Sequence, residues 1–439
     1  MTSLWASYTV AAGWVIAADE PFVRPDRLPE RTRGQQVSRF GDPIWNLDPL
    51  SSHNHSATWT LNWELFPERL RETGRRAGWA LVNLATPEEV LEGSGSINRV
   101  KWISAASMVR VVRGWRRLAQ WTLDHGMSSM ADLTTDDLED FAVDISRAVG
   151  RDRETVAEQL HSVSLLWGFA PHLPPSDHLV MPPWEASGTK DDYLPPREAA
   201  NENSTVPIHP AVMSPLLVWA IRFVDDFSDD ILAAWDERQA LVARVRSHAN
   251  PEATAGLRQL IADHTATGRP LPGCIYLGRR IVARTYLAGL SDASTSQVKV
   301  AVRRNGSSLP ISTETPLETR VQGRLHEQPW LRHVNFHDTP ILMRRLSAAC
   351  MIVILYLSGM RPGEALELQV GCCPEPDDTD TAHRYAIHGN YFKHARDADD
   401  RAVVGGLPRE TPWTVIPPVV RAIRVLVSTF TFFPARSFT

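Results

Sequence analysis

The chain has 439 residues, a mass of 49.0 kDa, 43% hydrophobic and 22% charged residues, and a formal net charge of −5. That is longer than one hydrophobic core usually grows, so two or three domains are expected, and the composition excludes a disordered or fibrous chain. Four cysteines at 274, 350, 372 and 373 form no CxxC pair, which argues against a structural zinc or a disulfide framework and fits a reducing compartment.

Neither a membrane anchor nor a signal peptide is expected. The aliphatic run 351–357 is far short of the roughly 20 residues that span a bilayer, and no basic residue precedes the apolar stretch in 1–18. The expected location is the cytoplasm. The net acidity does not announce a nucleic-acid binder. Positive charge is local instead, in Arg110, Arg113, Arg116 and Arg117 and in Arg279, Arg280 and Arg284.

Residues 1–95 read as an N-terminal extension packed on the neighbouring domain, with a short amphipathic helix around Pro67 to Trp79. The clearest periodicity comes next. Met108, Val111, Val112, Trp115, Leu118, Ala119 and Thr122 mark one buried stripe, with Arg110, Arg113 and Arg117 on the other side and Gly126 as the stop. Thr134 caps a second helix with acids in its first turn, and a third runs from about Arg153 to Trp167. Together, residues 96–172 predict a compact helical bundle. Trp115 and Trp121 read as core and rim.

Prolines then dominate, and 173–205 read as a linker between domains. The last domain, 206–439, opens with a helix from Pro210 to Phe227 buried through Met213, Leu217, Ala220 and Val224. Residues 250–335 are mixed and give no clear pattern. Thr339–Pro340 predicts the start of a long helix, with threonine as cap, running through Ile341, Leu346, Ala349, Ile352 and Tyr356 to Gly359. A short helix begins at Pro362. Tyr385 to His388, Tyr391 to Lys393 and Trp413 to Ile416 then read as strands, and Val419 to Val427 as a final helix.

The segment with the most chemistry is Tyr356-Leu-Ser-Gly-Met-Arg361-Pro-Gly-Glu364-Ala-Leu-Glu-Leu368. Arg361 stands in a turn between two helices, where a guanidinium and backbone N–H groups suit a phosphate oxygen, and Glu364 one turn later can hold its orientation. The plain alternative is a helical hairpin with a surface salt bridge. Lys393 follows in Asn390-Tyr-Phe-Lys393, and Pro412-Trp413-Thr-Val-Ile-Pro417 lies beyond it.

An arginine turn, a hairpin lysine and a strand leading into a helix together resemble the catalytic domain of tyrosine recombinases (phage-type integrases), and most closely the large integrases of actinobacterial mobile elements. Asn62-Trp63 through Phe66-Pro67, Pro207-Ile-His-Pro210, Phe392-Lys393 and Pro412-Trp413-Thr414-Val415-Ile416 carry the same resemblance. It implies a mainly α fold with a small antiparallel β-sheet: a SAM-like helical core-binding domain joined to an incomplete catalytic domain, the two clamping double-stranded DNA. It also implies metal-free phosphoryl transfer through a 3′-phosphotyrosine, with no cofactor and with further protomers in a synaptic tetramer if full length. By position, Arg361 matches the first family arginine, Glu364 its acidic support and Lys393 the general acid on the leaving 5′-oxygen. Arg110, Arg113, Arg116 and Arg117 would contact the DNA backbone; the plain alternative is a solvated helix face.

The match is partial. No His-x-x-Arg occurs, and no tyrosine follows Tyr391. The chain is therefore expected to lack the nucleophile and to be inactive alone, with apolar surface left open on 341–358 and 419–427. A non-catalytic DNA-binding protein and a helical protein unrelated to DNA are the competing expectations.

Overall fold

The computed structural model describes residues 16–51, 58–93, 101–148, 152–186, 190–196, 206–306, 308–375, 385–393, 395–398 and 400–430. It is mainly helical, with short antiparallel strand pairs. Two compact units are present: one takes Met1–Val206 with Asn390–Arg409, the other Pro207–Gly389 with Glu410–Thr439.

In the first unit, strands Ile44–Asn46 and Thr60–Asn62 pair antiparallel and lead through a 3-10 turn at Glu68–Leu70 into α1 (Arg71–Asn83). The helix expected from Pro67 thus begins at Arg71. After α2 (Glu88–Gly93) come α3 (Ala105–Asp124), α4 (Thr135–Arg147), α5 (Arg153–Gly168) and α6 (Pro183–Ala186). Ser104 caps α3, and Thr134 caps α4 in a reciprocal box with Asp137. All seven expected stripe residues of α3 are buried.

One continuous core joins Trp45 and Trp63 of the N-terminal segment to Trp115 of α3 and Trp184 of α6. Trp115 donates from Nε1 to the Ser162 carbonyl at 2.6 Å, so the buried indole N–H at the α3–α5 seam has its partner. Trp121 sits at the rim, with Nε1 on Asp144 at 2.9 Å.

The proline-rich stretch differs from an open linker over its described part. Its prolines set short 3-10 turns, and buried Asp177 accepts from Thr73 Oγ1 at 2.7 Å and Arg76 Nε at 2.6 Å. Trp184 is fully buried and donates to Ser164 Oγ at 3.0 Å. Prolines here fix turns that pack rather than a chain that stays solvated.

In the second unit, α7 (Pro210–Asp225) and α8 (Ser228–Arg244) precede α9 (Ala253–Thr267), a hairpin of Gly273–Tyr276 and Arg279–Val282, α10 (Arg284–Leu290) and α11 (Thr295–Asn305). Next come α12 (Thr339–Ser358), α13 (Pro362–Leu366) and α14 (Pro417–Phe430). One core holds Val224, Ile231, Leu346, Val353, Val419 and Ile423; a separate small core holds Leu257, Ile261, Leu271, Leu287 and Val298.

Several expectations for this unit are corrected. Asp338, not Thr339, is the N-cap of α12; Thr339 is already helical and donates from Oγ1 to the Asn335 carbonyl. Ile341 and Tyr356 are exposed, because the buried face runs through Leu342, Leu346, Ala349, Val353 and Ile354. Met213 and Leu217 are half-buried rather than core. By length and composition alone α12 is apolar enough to cross a membrane, unlike the run 351–357, but its inward face belongs to the core just described. Val419, Val420, Ala422, Ile423 and Val425 of α14 are buried, so that segment is not the open surface expected. Apolar exposure is found on α12, at Ile341 and Tyr356, and on α7, at Val212, Leu216, Val218 and Trp219.

The strands do not form one sheet. Tyr385–Ile387 pairs with Trp413–Val415 in the second unit, while Asn390–Tyr391 pairs with Leu407–Pro408 in the first. The expected single domain 206–439 is therefore interrupted at Asn390–Arg409.

Candidate phosphate-binding site

Gly359 ends α12 in the left-handed region, φ 69°, where its N–H bonds the Leu355 carbonyl and a Cβ would be strained. The chain then reverses. Met360 N–H donates to Ser358 Oγ at 3.1 Å, and the Met360 side chain drops into the core. Arg361 comes next and faces outward, with 61% of its side chain exposed.

Glu364 supplies the restraint. Its carboxylate, 2% exposed, accepts from Arg361 N at 2.8 Å through one oxygen and from Arg361 Nη1 at 3.1 Å through the other. A buried acid thus tethers an exposed guanidinium, leaving the remaining N–H groups free to meet an external anion. The expected help from backbone N–H groups is mostly missing. Arg361 N is taken by Glu364, Pro362 has no N–H, and Glu364 N bonds the Arg361 carbonyl. The anion-binding capacity here is the guanidinium's own.

Lys393 is exposed in the first unit, at the turn after strand Asn390–Tyr391 rather than within a strand. Asn390 Nδ2 reaches the Gly405 carbonyl at 2.7 Å within the hairpin, and from outside it Lys101 N–H donates to Asp400 Oδ2 at 2.6 Å. Lys393 itself is open to solvent.

On α3, Arg113 is exposed, Arg116 and Arg117 are half-buried, and Arg110 is engaged, donating from Nη1 to Glu158 at 3.0 Å and from Nη2 to Ser107 Oγ at 3.0 Å. Among these four, Arg113 is the cation most available to a ligand.

A second cationic cluster in the same unit has no counterpart among the sequence-based expectations. Arg27 lies 3.7 Å over the Trp102 ring and Arg401 5.9 Å from it, beside a cleft of about 1090 Å³ also lined by Arg33 and Arg396. Burial, then repulsion from Arg401, pushes the Arg27 guanidinium down to about 10. These arginines are scattered over the sequence and no local pattern links them. Among the described residues, no group of three or more His, Cys, Asp or Glu side chains is placed to hold a metal. Burial raises the thiols of Cys350 and Cys372, to about 12 and about 11.

No protein-family model, no curated protein and no solved structure matches the chain.

Proposed function

We propose that this chain is a DNA-binding protein of the tyrosine-recombinase kind, with the helical core-binding and catalytic parts that the resemblance implies. The observation that carries this reading is the Arg361–Glu364 pair, an exposed guanidinium held in place by a buried carboxylate. Such a tether fixes the cation before any ligand arrives, which is what charge stabilisation at a phosphoryl group requires. A surface salt bridge with no task needs no buried acid, since exposed pairs contribute little.

In this reading double-stranded DNA is the partner. Arg361 meets phosphate oxygens, and Arg110, Arg113, Arg116 and Arg117 meet the backbone elsewhere. Lys393 protonates the leaving 5′-oxygen as a tyrosine oxygen forms its bond to phosphorus. The sequence contains no His-x-x-Arg and no tyrosine beyond Tyr391, so attack is assigned to none of its residues.

A second reading is that the protein occupies DNA sites without cleaving them. Titration of duplex DNA with the protein over a range of salt tests both. Both require steep salt dependence, and only the first lets Lys393 and Arg361 support strand cleavage by a tyrosine that another protomer supplies, an activity that the second reading lacks. Flat or absent binding removes both and leaves a helical protein unrelated to DNA.

A further inference from the structure

Residues 250–312, which show no clear pattern in sequence, carry eight Lys and Arg against three Asp and Glu, a local excess of +5 in a chain of net −5. They close around the small core of Leu257, Ile261, Leu271, Leu287, Ala288, Ala293 and Val298. Three helices supply most of it, α9, α10 and α11, with Leu271 and Ala293 coming from the connections and one hairpin between the first two helices.

The turn between α10 and α11 is the informative feature. It spans four residues, 291–294, and Asp292 takes φ 52° there, a conformation that Asp and Asn tolerate better than most residues. Arg244 holds the Asp292 carboxylate in two hydrogen bonds, at 3.0 and 3.2 Å. Ala288 before the turn and Ala293 within it are fully buried, and residues this small let two helices cross closely. Ser294 then caps α11 in a reciprocal box with Gln297, whose amide also donates to the Asn250 carbonyl ahead of α9 and to Thr254 Oγ1 in its first turn. These bonds pin the turn to α8 and α11 to the start of α9. Two helices packed on each other and joined by a short, braced turn have the element order of a helix-turn-helix.

What α11 presents outward is chemically distinct from what it buries. Val298 faces the core, while Ser296, Lys299, Val300, Arg303 and Arg304 are exposed. Ser296, Lys299 or Val300, and Arg303 recur at i, i+3/4, i+7, which places them on one stripe. Hydroxyl, ammonium, methyl and guanidinium groups in a row match the acceptors and thymine methyls of a major-groove edge. In the hairpin, Leu277 (85% exposed) and Gly278 make the turn at positive φ, and Tyr276, Arg279 and Arg280 stand open beside them. This projecting, basic ribbon suits the neighbouring backbone.

We propose that residues 253–305 form a helix-turn-helix module in which α11 enters the major groove of double-stranded DNA and reads sequence, with the 273–282 hairpin on the flanking phosphates. The module is independent of the Arg361 site, so each can fail without the other.

The test is selection of duplexes from a random pool by the full chain at fixed salt, followed by affinity measurement on the enriched sequence and on an unselected duplex. An enriched motif is expected. Arg303→Ala and Lys299→Ala should each weaken binding to it at least tenfold and change unselected binding by less than threefold, and Ser296→Ala should relax the preference at one position. Arg361→Gln should leave the motif unchanged. These side chains are exposed, and circular dichroism of each variant checks that the fold is kept. No enrichment by the parent chain, or a motif and affinities untouched by the α11 variants, overturns the proposal.

Discussion

Arg361 is held at two points by one carboxylate: Glu364 accepts from its backbone N–H and from its guanidinium. Glu364→Ala removes both bonds from a buried site. Unfolding in urea should show a loss of roughly 2–3 kcal/mol, the range for hydrogen bonds to charged groups. Glu364→Gln, which keeps one acceptor, should lose about half as much. A change below ~0.5 kcal/mol for Glu364→Ala would mean that the tether does not stabilise the turn.

The α3 arginines are not equivalent. Arg113 is unengaged at the surface, whereas Arg110 must leave Glu158 to meet a phosphate. Arg113→Ala is therefore expected to lower the salt slope of DNA binding by about one unit, the effect of one lost phosphate contact. Arg110→Ala should lower it less. Equal slopes for parent and Arg113→Ala, measured by fluorescence anisotropy, would remove α3 from the interface.

Packing of α3 on α5 depends on a missing side chain. A Cβ on Gly114 would lie 2.0 Å from Ser162 Oγ and 2.7 Å from Ser162 Cβ. Gly114→Ala gains up to ~1 kcal/mol of helix propensity but overpacks a buried seam, so a net loss of about 1–2 kcal/mol is expected. Adding Ser162→Gly should recover part of it. A higher melting temperature for Gly114→Ala alone would show that α3 and α5 are not in close contact.

His161 gives the fold a dependence on acid. Burial, and then the nearby Lys190 charge, lowers its imidazole from 6.5 to about 4. A histidine lowered on folding stays neutral in the native state while the unfolded chain takes up a proton. Its contribution is present above pH 6.5 and is lost as pH falls toward 4. Allowing for partial exposure, the loss should reach about 2 kcal/mol at the acid end. In parallel unfolding titrations His161→Gln should flatten this part of the curve, and identical curves would contradict the assignment.

Legibility from sequence depended on the kind of signal. The α3 stripe, the Thr134 cap and the Gly359 stop were readable because each is local: a period, a capping side chain, a residue that tolerates positive φ. The pairing of Arg361 with Glu364 was readable for the same reason, being one helical turn apart. What escaped was set by distant partners. Asp177 is buried because Thr73 and Arg76 meet it, and that turns an apparent linker into packed structure. Ile341 and Tyr356 fit a helical period but fall outside the face that α7 and α14 cover. The turn at Asp292 went unread because an aspartate replaces the glycine that usually signals positive φ.

The central claim is that the Arg361 guanidinium contacts a DNA phosphate. Its most direct test is a scan of the enriched duplex with single neutral methylphosphonates, measured with the parent chain and with Arg361→Gln. The expected result is one linkage at which neutralising the phosphate abolishes the effect of Arg361→Gln, which elsewhere costs about tenfold, or ~1.4 kcal/mol. An Arg361→Gln penalty that is the same at every linkage, or absent throughout, would contradict it.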